Sequence, residues 1–167
     1  TYDMGAYEAA NATGDVFRCS FATPTNCALE SLTAVFTAYA AGTNTNNLAY
    51  FWTFGDGATS AWSGATRVVS HTYGYGCFTV ALTVSNELGQ VAAYTRNALI
   101  NVYPTYVYVS TNGANVSPYG SWGTAASNIQ DGVNAAAAGL GYTIAVLVSN
   151  GIYTVTNEIS INQAVTL

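Results

Sequence analysis

The sequence predicts an all-β chain with one helix, made of a β-sandwich and a second, smaller β segment. Apolar and polar residues alternate at a period of two in several segments between residues 16 and 102, and polar turns separate these segments. Such alternation puts one side of each strand in a core and the other in water, and short strands at this spacing are typical of a sandwich. Residues 124–138 are the only segment with a convincing apolar stripe at helical spacing.

The predicted sandwich occupies residues 14–103. Its strands are expected at residues 16–21, 32–38, 48–54, 66–72, 77–86 and 91–102. Gly55 and Gly57 supply the backbone freedom for a tight turn around Asp56, and Glu87-Leu-Gly89 forms the hairpin between the last two strands. Pro104 marks the end of the sandwich, because proline interrupts a strand ladder.

Strands and one helix are predicted after Pro104. Residues 105–110 form a strand, residues 111–121 a polar loop, and residues 143–148 an apolar strand that is expected to be buried on both sides. Further short strands are expected at residues 152–155, 158–161 and 164–167.

The predicted helix covers Thr124 to Ala138. Its apolar stripe repeats every four positions, at Ala125, Ile129, Val133 and Ala137. Thr124 or Ser121 is expected to cap the start of this helix, and Gly139 or Gly141 is expected to end it.

The charge of the chain excludes several classes of partner. The net charge is -5, and only 7% of the residues are charged, against about 25% in an average protein. The cations are Arg18, Arg67 and Arg96. So few cations exclude nucleic acid and anionic membranes as partners, because both are bound through clustered lysine and arginine. No apolar run approaches the ~18 residues of a membrane span. This composition predicts a secreted or cell-surface protein. The sequence starts at Thr1 without an initiator Met, so we expect it to be either processed or a piece of something longer.

Two features are typical of secreted proteins. Asn11-Ala-Thr13 and Asn115-Val-Ser117 match the glycosylation acceptor pattern, although such matches arise readily by chance in a chain rich in Asn and Thr. Cys19, Cys27 and Cys77 lack zinc-site spacing. A disulfide between Cys19 and Cys27 would close a short loop. Cys77 is expected to face outward, where it would pair with Cys19 instead, or with another chain. Three unpaired thiols are the remaining alternative.

The sandwich segment resembles the PKD domain, a family of immunoglobulin-like β-sandwiches. The resemblance lies in three motifs, Trp52-x-Phe54-Gly55-Asp56-Gly57, His71-x-Tyr73 and Phe78-Thr-Val-x-Leu-Thr-Val-x-Asn86. It implies an extracellular, non-catalytic spacer or adhesion module. It also implies that His71 and Tyr73 are structural and not a catalytic base with its orienting group. For Asp56 a turn role is favoured over a calcium site, because calcium usually takes about 6 to 8 oxygens.

Both ends of the chain are similar to parts of a right-handed parallel β-helix of the pectate-lyase type. At the C-terminal end the similar residues are Tyr108-Val-Ser-Thr-Asn112-Gly, Ser121-Trp122, Asn128-Ile-Gln130-Asp131 and Val146-Leu-Val-Ser-Asn150-Gly-Ile-Tyr153. The resemblance implies that residues 104–167 are the capping helix and first rungs of a solenoid. Asp3-Met-Gly-Ala-Tyr-Glu8, within residues 1–13, resembles the closing strand of a preceding β-helix.

The titratable residues do not suggest a catalytic site, a metal or a cofactor. The eight acidic residues are scattered along the chain, and His71 is the one histidine. A β-helix lyase places several carboxylates and a base on rungs that would lie beyond residue 167. We therefore expect the chain not to be an enzyme. Trp62, Trp122 and the 13 tyrosines are typical either of a sugar-stacking face or of subunit contacts.

The two half-motifs predict a function in assembly. The N-terminal strand of one copy would add to the last rung of the next copy, and a head-to-tail contact that does not close generates a filament. The expected interface residues are Tyr2, Met4, Ala6, Tyr7, Ala164, Val165 and Leu167. The expected partners are copies of the chain and, as a second class, glycans. The alternative is a spacer or carbohydrate-binding fragment of a large secreted β-helix surface protein.

Overall fold

The computed structural model describes residues 16–42, 44–139 and 141–161. The described strands are β1 (Arg18–Ala22), β2 (Cys27–Leu29), β3 (Leu32–Ala41), β4 (Ala49–Thr53), β5 (Val68–Tyr73), β6 (Gly76–Ser85), β7 (Val91–Tyr103), β8 (Tyr106–Val109) and β9 (Ala145–Val148). The described helices are the 3₁₀ helix Gly64–Arg67 and the α-helix α1 (Ile129–Ala137). The prediction of an all-β chain with one α-helix is confirmed.

The strands form three sheets, with the orders β1-β3-β5, β2-β7-β6-β4 and β8-β9. The pairs β1/β3 and β4/β6 are antiparallel, whereas β2/β7 and β8/β9 are parallel. Strand β2 is absent from the sequence prediction. It has three residues and all of them are half-buried, so it is too short to show a period of two.

The described residues divide into two compact units. The first contains the described residues up to Asn26, together with Thr33–Thr72 and Cys77–Ile100. The second contains Cys27–Leu32, Tyr73–Gly76 and the described residues from Asn101 onward. Strand β2 and the turn before β6 thus belong to the same unit as β8, α1 and β9. These two units do not coincide with the predicted domains 14–103 and 104–167. The predicted segment 1–13 lies outside the described residues.

The core of the first unit is built from alternating strand residues, as predicted. Ala34, Phe36 and Ala38 of β3 are buried, and so are Val80, Leu82 and Val84 of β6. Trp52 is fully buried at their centre, where its ring contacts Phe21 and its indole N–H donates to the Thr66 carbonyl at 2.8 Å. The indole is therefore packed and also hydrogen-bonded, which is what a buried tryptophan requires.

Helix α1 packs on one face of the β8–β9 sheet in the second unit. The fully buried Val107 and Val109 lie on this face, and a Cβ added to Gly132 of α1 would come within 2.4 Å of Val109 Cγ2. The helix begins at Ile129, because the Asn128 side chain accepts the Asp131 N–H at 2.8 Å and so caps the first turn.

The prediction of a helix from Thr124, capped by Thr124 or Ser121, is wrong. Ala126 instead forms a parallel bridge with Val109 of β8, and its N–H donates to the Tyr108 carbonyl at 2.9 Å. Ala125 and Ala126 are fully buried in this extended arrangement. Ser121 and Thr124 bond to each other in the turn that precedes it. The residues that looked like the first turn of the helix therefore serve the sheet.

Two predictions about the C-terminal strands are also wrong. Strand β9 is not buried on both sides, since Leu147 is 37% exposed and Val148 is 46% exposed. The segments 152–155 and 158–161 form no strand, and Ile152 is 93% exposed. Residues 164–167, where a further strand was predicted, lie outside the described residues. In the described part of the chain, the apolar side chains of residues 152–161 therefore do not belong to a strand.

Candidate functional site

The turn after β4 places Asp56 against His71 of β5. The two side chains are 2.6 Å apart, Oδ2 to Nε2, and the imidazole stacks on Phe54 with ring centroids separated by 4.2 Å. Asp56 Oδ1 also accepts the Ala58 N–H at 3.0 Å. Partial burial raises the pKa of Asp56, but the bonds from His71 and Ala58 outweigh it and lower the pKa overall. The carboxylate is thus engaged in closing the turn, which agrees with the predicted structural roles of Asp56 and His71.

A second polar cluster connects three segments of the second unit through Glu30. One oxygen of its carboxylate accepts the Tyr75 hydroxyl at 2.5 Å, and the other accepts the Thr105 N–H at 2.7 Å. The backbone N–H of Glu30 donates to the Tyr103 carbonyl at 2.8 Å, which continues the ladder between β2 and β7. Pro104 has no N–H to donate, and the N–H of the next residue, Thr105, donates to the Glu30 carboxylate, which fixes the path of the chain into β8.

The bonds of this cluster perturb both ionisable partners. The Tyr75 hydroxyl, followed by the Thr105 N–H, lowers the pKa of the Glu30 carboxyl. The same bond raises the pKa of Tyr75 to about 12, with smaller contributions from burial and from the charge of Glu30. Glu30 was not among the predicted site residues. The signal available in the sequence was an acidic residue in a chain in which 7% of the residues are charged. The structure shows that Glu30 has a φ of 66°.

The face of the β8–β9 sheet opposite α1 is aromatic and apolar. Tyr106 and Tyr108 of β8 lie beside Ala145 and Leu147 of β9 in the parallel register. Trp122 contacts the Tyr108 ring at a centroid distance of 4.7 Å and remains 49% exposed. This face is therefore suited to contact with another apolar surface or with a flat ligand.

The outer edge of β9 is the candidate site for strand addition. In the described residues the third sheet consists of β8 and β9 alone, so β9 has a strand neighbour on one side. Its four residues are Ala, Val, Leu and Val, without a charge or a proline. Proteins use charged residues and prolines at a sheet edge to stop the edge from pairing with another strand, and the β9 residues include neither.

The segment after β9 is attached to helix α1 through Gln130. Its Oε1 accepts the Ser160 N–H at 2.9 Å, and its Nε2 donates to the Ser160 carbonyl at 3.1 Å. Ile159 and Ile161, on either side of Ser160, are exposed. Gln130 belongs to the residues that resemble a β-helix. No signal in the sequence pointed to its contact with Ser160, which lies 30 residues further along the chain.

The predicted interface residues lie outside the described residues. They are Tyr2, Met4, Ala6, Tyr7, Ala164, Val165 and Leu167, and the glycosylation candidate Asn11 lies there as well. The second glycosylation candidate, Asn115, lies on an exposed loop with a φ of 55°. Its side-chain oxygen accepts the Ser127 N–H at 3.2 Å.

The disulfide considered between Cys19 and Cys27 is not formed. Both thiols are unpaired in the structure, and so is that of Cys77. Cys19 lies on β1 in the three-stranded sheet, whereas Cys27 lies on β2 beside β7 in the four-stranded sheet. Burial raises the pKa of the Cys19 thiol, which reduces its reactivity. Cys77 is exposed, as predicted from its place in the alternation of β6.

Two further findings limit the chemistry of the described residues. No group of three His, Cys, Asp or Glu side chains in residues 16–42, 44–139 and 141–161 is arranged to hold a metal ion. In the same part of the chain no helix has the length and apolar character needed to cross a membrane.

The two exposed tryptophans belong to different units. Trp62 stacks on Phe51 with a centroid distance of 5.3 Å and an interplanar angle of 20°, and 49% of its surface is exposed. Trp122 lies in the second unit beside Tyr108.

Comparison with known proteins identifies the first part of the chain. The family model of the PKD domain matches residues 19–102. The PKD1 domain of Vibrio anguillarum Epp is 25% identical, with a TM-score of 0.42 over 53% of this chain and 98% of that domain. The PKD1 domain of the Vibrio cholerae metalloprotease PrtV is 20% identical, with a TM-score of 0.38 over 52% of this chain and 98% of that one.

A third solved structure is the PKD domain of an M14-like peptidase from Thermoplasmatales archaeon SCGC AB-540-F20. It is 18% identical, with a TM-score of 0.36 over 53% of this chain and 99% of that domain. No curated protein matches the chain significantly. The family match ends at Val102, so the resemblance of residues 104–167 to a β-helix stays a prediction.

Proposed function

Because the match over residues 19–102 makes this chain a member of the PKD domain family, we propose that it is a non-catalytic, extracellular structural protein that assembles head to tail. Asp56 and His71, the acid and base that lie closest to each other, are engaged with each other and with the turn. The imidazole is also stacked on Phe54, and Asp56 accepts the Ala58 N–H of the turn. This arrangement supports a structural role for the sandwich.

The observation that carries the proposal is the apolar outer edge of β9, which has no strand partner among the described residues. Strand addition uses the backbone groups of such an edge for affinity and the alternating side chains for specificity. The donor would be the segment Tyr2–Glu8 of a neighbouring copy, in which Tyr2, Met4 and Ala6 alternate with other residues. Donor and acceptor sites at opposite ends of one sequence give a heterologous contact, which forms a filament when it does not close.

The low charge of the chain supports contact between copies. The net charge of -5 is distributed over 167 residues, and 50% of the residues are apolar. Repulsion between exposed charges that are more than about 8 Å apart is largely screened at physiological ionic strength. Apolar surface at β9 and in residues 152–161 can therefore be covered by another copy without the burial of charged clusters.

The test is electron microscopy of the full chain, together with light scattering over a range of concentrations. We expect fibres whose mass grows with concentration. Met4→Pro should abolish them, because proline removes a backbone donor from the proposed strand. Ala10→Pro, outside both Tyr2–Glu8 and the glycosylation candidate Asn11-Ala-Thr13, is the matched control and should leave them intact. A monodisperse monomer at every concentration would refute the proposal.

A second candidate function is a spacer or carbohydrate-binding part of a large secreted β-helix protein. The observation that favours sugar binding is Trp62, which lies flat against Phe51 and is half exposed. Binding to a glycan array that is lost in Trp62→Ala and kept in Trp122→Ala would support this candidate. Equal binding by both variants would count against it.

A further inference from the structure

Three aromatic side chains and one carboxylate of the second unit lie together. The rings of Tyr108 and Trp122 meet at an angle of 67°, with centroids 4.7 Å apart, and so form a corner. The Tyr75 ring packs on Gly120, two residues before Trp122, since a Cβ added to Gly120 would come within 2.7 Å of Tyr75 Cε2. The Tyr75 hydroxyl donates to the Glu30 carboxylate at 2.5 Å. We call Glu30, Tyr75, Tyr108 and Trp122 the aromatic–acid cluster.

The aromatic–acid cluster is open to solvent. Trp122 is 49% exposed and Tyr75 is 37% exposed. Glu30 is exposed as well, and Tyr108 is half-buried. A ligand can therefore reach the ring surfaces and the carboxylate without a change of the fold.

The negative charge of this cluster is not balanced within its own unit. The described residues of the second unit include the acids Glu30, Asp131 and Glu158, and they include no Lys, Arg or His. The bonds from Tyr75 and Thr105 lower the pKa of the Glu30 carboxyl, so the carboxylate is charged at neutral pH. The faces of the aromatic rings are also electrostatically negative. The cluster therefore combines apolar surface with a negative potential.

This combination favours an organic cation over a metal ion and over a neutral sugar. A metal ion such as calcium takes about 6 to 8 oxygen ligands, whereas Glu30 is the one acid of the cluster. A neutral sugar gains from stacking on the rings but carries no charge for the carboxylate to attract. A quaternary ammonium ion gains from both, because it is attracted by ring faces and by a carboxylate. It has no N–H group, so it needs no acceptor beyond those that Glu30 already gives to Tyr75 and Thr105.

We infer that the aromatic–acid cluster is a binding site for a small organic cation that carries a quaternary ammonium group. Trp122 and Tyr108 provide the ring faces, and Glu30 provides the charge. Tyr75 holds the carboxylate in place and extends the aromatic surface. The inference does not depend on the proposed function, because neither the outer edge of β9 nor the segment Tyr2–Glu8 takes part in this site.

The test is equilibrium dialysis of the full chain against labelled choline at low ionic strength, which counts bound ligand whether the chain is monomeric or assembled. We expect saturable binding that tetramethylammonium displaces. The neutral isostere of choline, in which a carbon atom replaces the nitrogen, should displace it much less. Displacement by the isostere as effective as that by tetramethylammonium would overturn the inference, because the surface would then be merely apolar. Absence of choline binding would also overturn it, while the proposed function would stand.

Variants locate the site within the chain. Trp122→Ala should weaken choline binding about fivefold, the scale of a cation–π contact at a partly exposed site, and Glu30→Gln should weaken it by a similar factor. Trp62→Ala and Glu158→Gln are the matched controls. They change an equally exposed tryptophan of the first unit and an exposed acid of the second unit, and both should bind like wild type. An equal loss in the controls, or wild-type affinity in Trp122→Ala, would contradict the assignment.

A milder variant separates binding from folding. Trp122→Phe keeps an aromatic ring beside Tyr108 and should bind choline with intermediate affinity, because tryptophan is the strongest cation–π partner. Hydrogen exchange of the Val107–Val109 amides should be unchanged in Trp122→Phe and in Glu30→Gln. Binding that is lost only together with this protection would overturn the inference, since the cluster would then serve the fold.

A further arm identifies the source of the quaternary ammonium group. Vesicles of phosphatidylcholine carry the same group at a lipid surface. Binding of free choline without binding of the vesicles would assign the site to a dissolved ligand. Binding of both, lost together in Trp122→Ala, would assign it to the lipid headgroup, and either result supports the inferred chemistry.

Discussion

Strands β4 and β9 each lie at the edge of a sheet, and they differ in what lies on their outer side in the described part of the chain. Outside β4, residues 58–63 run along the strand, and Ser63 exchanges two backbone bonds with Tyr50 at 3.1 and 3.2 Å. The Ser60 N–H bonds the Trp52 carbonyl at 3.0 Å, and the Ser60 hydroxyl accepts the Trp52 N–H at 2.9 Å. Outside β9, the described residues provide no strand.

Under the proposed function, this difference predicts which edge would receive a strand from another copy. The β4 edge is closed because a nearby loop and one serine side chain satisfy its backbone groups, which is a common defence against unwanted pairing. The β9 edge has an apolar sequence and lacks such a loop among the described residues. The proposed strand addition is therefore expected at β9 and not at β4.

The largest expected effect is the loss of the open edge when α1 is pushed away from the sheet. In Gly132→Val, the added side chain would meet Val109, since even a Cβ at this position lies 2.4 Å from its Cγ2. Overpacking of this kind costs about 1–3 kcal/mol. We expect the amides of β8 and β9 to lose protection against hydrogen exchange, and fibres to disappear.

Gly123→Ala is the matched control for this substitution. A Cβ at Gly123 would lie 3.9 Å from the nearest atom, the Ser121 hydroxyl oxygen, which is an ordinary contact. Unchanged protection in Gly123→Ala is expected. If Gly132→Val also keeps full protection and forms fibres, the packing of α1 does not support the open edge.

A smaller effect is expected when the closed edge is weakened. Ser60→Ala removes the acceptor of the Trp52 N–H, and a lost hydrogen bond of this type costs about 1 kcal/mol. Urea unfolding followed by the fluorescence of the buried Trp52 should show this loss. Thr59→Ala, which changes an exposed neighbour, should show almost none. A new type of aggregate in Ser60→Ala would show that the serine also prevents pairing at β4.

The sandwich was predictable because its information is local. The alternation in β3 and β6 follows from residues two positions apart, and the structure buries Phe36, Val80 and Leu82 accordingly. The turn around Asp56 was predicted for the same reason, since Gly55 and Gly57 flank it and have φ values of 87° and 95°.

The second unit was harder to predict because its information is distant in sequence. Glu30 bonds Thr105, which lies 75 residues away, and Gln130 bonds Ser160, which lies 30 residues away. The start of α1 was placed too early because Ala125 continues the apolar stripe of the helix at a spacing of four residues, whereas tertiary pairing with β8 holds Ala126 in an extended bridge. Neither the bond between Glu30 and Thr105 nor the bonds between Gln130 and Ser160 leave a periodic signal in the sequence.

The smallest expected effect concerns the hydrogen bonds that Glu30 accepts from Tyr75 and Thr105 at the start of β8, in the β8–β9 sheet. The lowered pKa of Glu30 stabilises the fold above the ordinary carboxyl pKa, and this contribution is lost as the pH falls through the lowered value. Tyr75 acts in the opposite direction. Its contribution is complete below the ordinary tyrosine pKa of about 10 and is lost as the pH rises through about 12.

Tyr75→Phe should therefore flatten the alkaline decline of the unfolding temperature, measured between pH 9 and pH 12, and lower stability slightly at neutral pH. The bond from Thr105 to Glu30 remains in this variant, so part of the acid decline should persist. Tyr39→Phe, which changes an exposed tyrosine of β3 in the first unit, is the matched control and should keep the wild-type alkaline decline. Identical pH profiles for Tyr75→Phe and wild type would mean that the β8–β9 sheet does not depend on the bond between Tyr75 and Glu30. The packing of α1 against Val107 and Val109 would then be its main support.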